Sequence, residues 1–533
     1  MLLKAKQLAD LNHPSYSKAG GIIRALIIFP PSRRAVRAMW TIHNETENSS
    51  IGAKPPLGPM YVAAYLKAHS DHEVRILDCQ VENSSDSDIK NFIEHYRPHL
   101  VGISTWTDYW YDAWQCIQII KSVDPSIHVS VGGPHASIYP ETILEYSGCD
   151  SVIVGDGEVP FYWLANGISN SDIPDTLPGL HIKSRGVQLG DQNFYIHGKL
   201  DTLAPPVRTM LPYKNYVNVI GQSAYSTTMI TSRGCPYSCT FCKLSFQKTL
   251  SHSAEYVVDE FQRIYDLGIS EIQVYDDAFT WSKQRLIDIC KGIVDRGIKI
   301  DWAIRDRVSS PTAETMEWLA KAGCTRIHFG VESGSDKTLR TIKKNITTDQ
   351  ALNAFKLSKS FGLQTLAYFM IGLPGETIDD MRETFRFAKT LDPDYATFGV
   401  MVPYAGTEIY DEGLRSGIIP VDYWQQFAKH PEPNFVLPFF WEEFLSQKQL
   451  LQLRDEGTRG FYFRPRYLLR EIRKLSTISE LKRKAKMAAS LFQSSVMGVG
   501  HSLYTKGPQL KNTRTSGAGG YANNKANPYS VRE

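Results

Sequence analysis

The sequence predicts an α/β fold built from two successive parallel-sheet units. Short apolar runs alternate with helical stretches twice, over about residues 24–154 and again over 227–402. Strands of this length alternating with helices imply parallel sheets covered on both faces. Glycine-rich and polar turns follow these strands, at the end where parallel sheets bind ligands. At 533 residues the chain is long enough for two or three domains.

In the first unit, residues 24–29, 73–78, 100–104, 127–131 and 151–154 read as strands, with helices over 59–68 and 115–123. Five such strands make a flavodoxin-like (Rossmann-type) domain, placed at 22–170 after an N-terminal tail of 1–21. Its strand-end turns hold Pro55 and Gly58, then Ser104, then Gly132, Gly133 and His135, then Gly155. Residues 171–222 lack a period and are rich in proline, so they read as a linker with a small hairpin around 179–196. In the second unit, 223–420, strands are predicted at 227–232, 271–275, 299–304, 326–331, 365–371 and 396–402, with helices such as 254–267 and 283–296. Six strand–helix units predict a partial, TIM-like (β/α)6 barrel, whose working end is the rim at the strand carboxyl ends. Residues 421–497 read as a helical C-terminal region, and 498–533 as a disordered tail.

The net charge of +3 offers no basic excess for nucleic acid. Cys79, Cys116, Cys149, Cys290 and Cys324 are scattered in apolar contexts, not laid out as a disulfide framework, which points to a reducing, cytoplasmic setting. The N-terminus lacks the apolar run of a signal peptide, and no stretch approaches the ~20 apolar residues of a membrane span. Residues 459–486 carry ten Lys or Arg against two Glu, with Phe461, Tyr462, Phe463, Leu468, Ile472 and Leu475 interleaved. This segment reads either as a solvated helix packed on the barrel or as a peripheral contact with anionic lipid on the inner membrane face.

The sharpest local signal follows the first barrel strand. Thr231, Ser232, Arg233 and Gly234 lead into Cys235, Cys239 and Cys242, spaced C-x3-C-x2-C. Three thiolates are one short of the four that hold an ordinary 4Fe-4S cluster, so one iron stays open. A structural zinc site needs a fourth ligand at short spacing, and the next candidate is His252. A metal-free cysteine cluster is the remaining alternative.

With Phe241 before its third cysteine, the motif resembles that of the radical S-adenosylmethionine superfamily. The first unit resembles the cobalamin-binding domain that precedes the barrel in one large class of these enzymes, through the turns Pro55 to Gly58, Gly132 to His135 and Gly155 to Glu158. The resemblance covers roughly 22–420. It implies a 4Fe-4S cluster on Cys235, Cys239 and Cys242, S-adenosylmethionine chelated at the open iron and cleaved to a 5′-deoxyadenosyl radical, and cobalamin as a further cofactor. One departure stands out. Many cobalamin carriers ligate cobalt through the His of Asp-x-His-x-x-Gly, and here Asp78, Cys79 and Gln80 stand at that place. His135 either approaches the corrin or is a turn histidine bonded locally.

On the barrel rim the resemblance assigns Asp276 and Asp277 to the methionine ammonium, the alternative being that one caps the helix starting near Ser282. Arg305 would hold the methionine carboxylate, or else pair with Asp276, Asp306 or Glu332. Glu332 and Ser333, followed by Gly334, match a Glu-Ser-Gly motif suited to ribose hydroxyls or the methionine end. Gly372 and Gly375 would let the backbone approach adenine, and Glu376 reads as a helix cap. Pro403 to Thr407 close the rim.

The implied activity is methylation of an unactivated carbon of a small-molecule or lipophilic substrate, with an electron donor such as flavodoxin or ferredoxin. The chain is also similar to the anaerobic magnesium-protoporphyrin monomethyl ester cyclase family, which shares its domain order. An inactive cobalamin-binding sensor is a further alternative. A tRNA methylthiotransferase would need more cysteines at loop ends of its first domain, whereas Cys116 falls mid-helix. The segment 33–54 is expected to lie near the corrin and shape the pocket.

Overall fold

The computed structural model describes residues 20–33, 54–173, 177–185, 197–218, 225–243, 248–433, 435 and 441–473. In the first unit β1 (Arg24–Phe29), β2 (Glu73–Asp78), β3 (Leu100–Ser104), β4 (His128–Gly132) and β5 (Ser151–Ile153) run parallel in the order β2-β1-β3-β4-β5. β6 (Leu180–Ile182) adds to β5 antiparallel, so residues read as one arm of a small hairpin form the sheet's edge. The rest of that hairpin, 186–196, lies outside the described residues. Ile28, Val101 and Val129 pack with Ile117 on one face, and Ala25 and Ile27 pack with Met60 and Leu164 on the other. Apolar side chains pack on both faces, which is why the central strands β1 and β3 read as mostly apolar runs.

The second unit contains β7 (Ser226–Met229), the short antiparallel pair β8 (Ser232–Arg233) and β9 (Leu250–Ser251), then β10 (Glu271–Val274), β11 (Asp301–Asp306), β12 (Cys324–Glu332), β13 (Gln364–Ile371) and β14 (Tyr395–Val400). Its main sheet is parallel, in the order β14-β13-β12-β11-β10-β7. Among the described residues β7 and β14 do not pair, so the barrel is open. Ile304, Ile327, Phe329, Ala367 and Phe369 pack outward with Met316 and Phe355 of the covering helices. Side chains alternate along a strand, so Arg305, His328 and Tyr368 line the concave face.

Helix starts follow short hydroxyl side chains. Ser282 caps Lys283–Asp295, accepting from Arg285 N at 3.4 Å, so neither Asp276 nor Asp277 is the cap. Thr377, paired with Asp380 in a capping box, starts Ile378–Leu391, so Glu376 is not the cap there. Past β14 the chain returns to the first unit. Tyr410, Ile419, Trp424 and Phe427 share a core with Ile117 and Val152, and Trp110 Nε1 donates to the Ala428 carbonyl at 3.1 Å. The helix Gln447–Tyr462 closes the other edge, with Tyr462 Oη donating to the Ala396 carbonyl at 2.7 Å. Among the described residues, no helix is long and apolar enough to cross a membrane.

The turn after β4 is built around one glycine. Gly133 has φ +98°, and a Cβ there would stand 2.6 Å from the Thr105 carbonyl oxygen. At Gly132 the nearest atom would be 3.8 Å away. Gly133→Ala is therefore expected to destabilise the protein by about 1–3 kcal/mol in urea unfolding, with Gly132→Ala close to neutral.

Candidate active site

The carboxyl ends of the two sheets face each other. Arg233, just after β7, bonds Asp156 at 2.9 Å and Glu158 at 2.6 Å, both beyond β5. Thr228 Oγ1 donates to the Pro55 carbonyl at 2.9 Å, and Tyr216 Oη donates to Asp78 at the end of β2 at 2.7 Å. Tyr404, beyond β14, donates to Asp108, beyond β3, at 3.3 Å. The Arg233, Thr228 and Tyr404 contacts join the barrel to turns beyond the strands of the first unit, Tyr216 reaches Asp78 from the linking segment, and the cysteine loop begins at Arg233.

That loop is pinned from beneath. Asp276 is 1% exposed and accepts from Thr231 N at 2.6 Å, from Thr231 Oγ1 and from Ser232 Oγ at 2.7 Å. Arg285 donates to the carbonyls of Thr231 and His252, each at 2.8 Å. Cys235 is buried, Cys239 half-buried and Cys242 at the solvent edge. The thiols stand near enough to raise one another's pKa. Loss of hydration, then Asp277 and the other two thiols, push Cys242 up to about 12. Burial likewise raises Cys235, so metal binding here must displace protons. His252 meets Asp201 through Nδ1 at 3.1 Å and stacks on Tyr256 at 3.9 Å, and among the described residues it joins no group that could hold a metal ion. Among the described residues no three Cys, His, Asp or Glu gather around a single metal ion.

Positive charge flanks the thiols. Arg307 is 6% exposed, lies 3.7 Å over the Tyr237 ring, and donates to Cys239 Sγ at 3.7 Å and to the Lys344 carbonyl. Lys344 Nζ bonds Glu332 at 2.8 Å and stands 5.8 Å from the Phe241 ring. Sequence reasoning missed Tyr237, Arg307 and Lys344. Arg307 had a signal, since it lies two residues beyond Arg305, just past the end of the same strand.

The rim residues divide. Asp277 is exposed beside the cysteines, its carboxyl raised by burial and by Asp276. Asp276 does not face an open ligand position, because the cysteine loop occupies both its oxygens. Arg305 pairs with none of Asp276, Asp306 or Glu332; its guanidinium lies 3.5 Å over the Tyr275 ring. Glu332 sits at φ +67°, held by Lys344. Ser333 is fully buried with its hydroxyl against Thr384 at 3.1 Å, so it packs a helix instead of meeting a ribose. A Cβ on Gly372 would meet Leu450 at 3.1 Å, and Glu443 takes the Gly375 amide at 2.8 Å. The segment after residue 441 therefore covers this loop, while the space at the Gly375 Cα stays open.

Glu376 folds back on its own loop and accepts from Leu373 N at 3.1 Å. Its Oε1 is buried without a partner, and burial pushes its pKa up to about 8. Such a group costs nothing below the unfolded value near 4.5, destabilises increasingly between 4.5 and about 8, and carries its full cost above 8. Glu376→Gln is expected to raise the melting temperature by a few degrees at pH above 8 and hardly at all near pH 5, as read by calorimetry.

On the opposing edge, Gly58 and Ser104 are neighbours, with a Gly58 Cβ standing 3.9 Å from the Ser104 hydroxyl. Gly155 has φ +91°, and its amide donates to the Ser137 hydroxyl oxygen at 3.1 Å. The Pro55 carbonyl is taken by the barrel. His135 is fully buried, its Nδ1 3.2 Å from Thr107 Oγ1 and its ring 4.9 Å from Trp110, and burial lowers it to about 3. It is a neutral core histidine and does not reach the edge. Trp106, absent from the sequence reading, is 56% exposed just beyond β3. The Asp78 loop is closed by Tyr216 and by its own Gln80 and Val81 amides.

The chain is similar to known proteins in both of its units. Residues 229–388 match the model of the radical SAM superfamily, and residues 51–165 match that of the B12 binding domain. An uncharacterized methyltransferase of Pyrococcus horikoshii is 32% identical over 457 residues, 85% of this chain and 95% of that protein. The anaerobic magnesium-protoporphyrin IX monomethyl ester cyclase of Rubrivivax gelatinosus is 25% identical over 436 residues, 78% of this chain and 75% of its own. Among solved structures, the radical S-adenosylmethionine methyltransferase TsrM from Kitasatospora setae shares the fold at TM-score 0.60 and 18% identity, over 75% of this chain and 76% of that one.

Proposed function

The chain belongs to the radical S-adenosylmethionine superfamily, in its B12-binding class, and on that premise we propose that it methylates an unactivated carbon of a small molecule held between its two sheet edges. Its cofactors are a 4Fe-4S cluster, S-adenosylmethionine and cobalamin. When bound, they supply an electron that cleaves the sulfonium, a 5′-deoxyadenosyl radical that removes hydrogen, and a transferable methyl group.

The chain's own residues do the rest in this proposal. Cys235, Cys239 and Cys242 hold three irons and leave the fourth open. Arg307 beside Cys239 favours the arriving electron by offsetting its charge. Asp277 accepts the methionine ammonium, and Glu332, fixed by Lys344, faces the ribose end. The turns at Gly58, Ser104, Gly132, Gly133 and Gly155 receive the corrin, with Trp106 as an exposed aromatic face. A flavodoxin or ferredoxin delivers the electron. The observation that carries the reading is the opposition of the two carboxyl edges, joined at Arg233 immediately before the cysteines. The relative named as a methyltransferase, the more similar of the two reported, supports methyl transfer over ring closure.

The reconstituted protein, given methyl-labelled S-adenosylmethionine and an anaerobic cell extract, is expected to form deoxyadenosine and one labelled small molecule. Deoxyadenosine without label would favour the cyclase reading.

A peripheral membrane contact has its own support. On the helix Pro465–Arg473, Leu468, Leu469 and Ile472 are 42%, 54% and 63% exposed, beside Arg466 and Arg473. Leu475 and the remainder of the basic segment lie outside the described residues. Flotation with anionic but not neutral liposomes, reversed by salt, is the expected result.

A further inference from the structure

The concave face of the barrel carries a set of donors that the cysteine loop does not use. Its arrangement follows from the tautomer of one histidine. Arg326 Nε donates to His328 Nε2 at 2.9 Å, and a guanidinium can only donate. The imidazole proton therefore sits on Nδ1, which donates to Tyr368 Oη at 2.9 Å. The Tyr368 phenolic hydrogen is left free for another acceptor. Arg305, in register with His328 on the neighbouring strand, presents its guanidinium over Tyr275. Lys54 Nζ, brought in from the first unit, stands 5.5 Å from the same ring. The Tyr275 hydroxyl is buried and makes no hydrogen bond.

This set is rich in donors: one Arg305 N–H goes to the Val274 carbonyl at 3.3 Å, and the guanidinium otherwise lies over the Tyr275 ring. Among the described residues neither Lys54 nor Arg305 meets a carboxylate. Glu271, the nearby acid, is already engaged by Arg326 at 3.3 Å, Asn218 at 2.6 Å and Gln273 at 2.6 Å. The local potential is positive. Burial alone would raise the Tyr275 phenol, yet Arg305 and Lys54 bring it below its ordinary value. Burial, then Arg326, Arg305 and Lys54, hold His328 well below its own, which keeps it neutral and preserves the donor chain. Two unneutralised cations favour a doubly charged group over a single carboxylate.

We propose that Lys54, Tyr275, Arg305 and Tyr368 bind an anionic group of the substrate, a phosphate or phosphonate before a carboxylate, and hold it below the cysteine loop. Arg305 lies two residues, or about 6–7 Å along an extended strand, below Arg307, which touches Cys239. A group anchored there leaves the rest of the substrate to reach up into the space between the sheet edges. The inference rests on the barrel being the site of the radical reaction. It reassigns Arg305 from the methionine carboxylate, the rival source of an anion at this place.

The test uses the full-length reconstituted protein and methylphosphonate, followed by phosphorus NMR line broadening with and without saturating S-adenosylmethionine. Methylphosphonate is expected to bind in both conditions, and its neutral dimethyl ester in neither. Arg305→Gln and the conservative Tyr368→Phe are each expected to weaken methylphosphonate about tenfold or more. The same variants should shift S-adenosylmethionine affinity less than about twofold. Absence of methylphosphonate binding, insensitivity to both variants, or displacement by S-adenosylmethionine would overturn the proposal, the last by returning Arg305 to the cofactor. Deoxyadenosine formation by the wild-type protein is scored separately. Its loss would sink the radical reading, whereas its presence with no anion binding would sink only this inference.

Discussion

Cys239→Ala is expected to take the reconstituted chain from about four irons to nearly none, and deoxyadenosine formation to background. Three thiolates are already the minimum for a cluster with an open iron, and among the described residues no other metal-ligating group gathers beside them to substitute. The fold should survive. Cys239 is half-buried and its side chain's recorded partner is Arg307 at 3.7 Å, while Asp276 and Arg285 hold the loop from below. Unfolding midpoints and cobalamin binding should therefore stay close to wild type. Cys116→Ala, in the middle of the helix Trp110–Val123, is the control and should retain full iron. A Cys239→Ala protein that kept its four irons would require a different ligand set.

The second large effect is expected at Arg233. Its guanidinium is 15% exposed and bridges two carboxylates of the other unit, Asp156 and Glu158. Burial would raise both acids, and Arg233 holds Glu158 below its ordinary value. Arg233→Met leaves two buried carboxylates without their cation, which costs about 3–5 kcal/mol. The pH dependence gives a signature. Unpaired and buried, these acids titrate higher in the folded than in the unfolded state, so the variant's deficit should grow as pH rises through neutrality. Adding Glu158→Gln should recover part of the loss. The substitution also frees the chain two residues before Cys235, so deoxyadenosine formation should fall even where the protein is folded. An Arg233→Met protein as stable as wild type at pH 8 would show that the bridge does not hold the edges together.

The strands and their order were legible because strand and helix segments alternate through both units, and because the central strands of the first sheet, covered on two faces, are mostly apolar. Their ends were less so. β11 begins at Asp301, two residues after the expected 299, because pairing with Glu271 on β10 and not hydropathy sets where the ladder starts. The cysteine triad was legible because its spacing is local. The roles of adjacent acids were not. Asp276 and Asp277 are equivalent in sequence, and only the path of the turn sends one beneath the cysteine loop and leaves the other beside the thiols. Ser333 was misplaced for a related reason, since its hydroxyl is claimed by Thr384, which lies 51 residues later. The basic inner face was invisible because it is assembled by register. Arg305 meets His328 across a ladder, and Lys54 arrives from the first unit.

The central claim is that one space lies between the cysteine loop and the B12-binding edge. Electron paramagnetic resonance on the protein holding both a reduced cluster and cob(II)alamin tests it most directly. The expected result is mutual broadening of the two signals, from centres separated by little more than the length of an S-adenosylmethionine molecule. Two unperturbed spectra, each identical to that of the protein loaded with one cofactor alone, would contradict it.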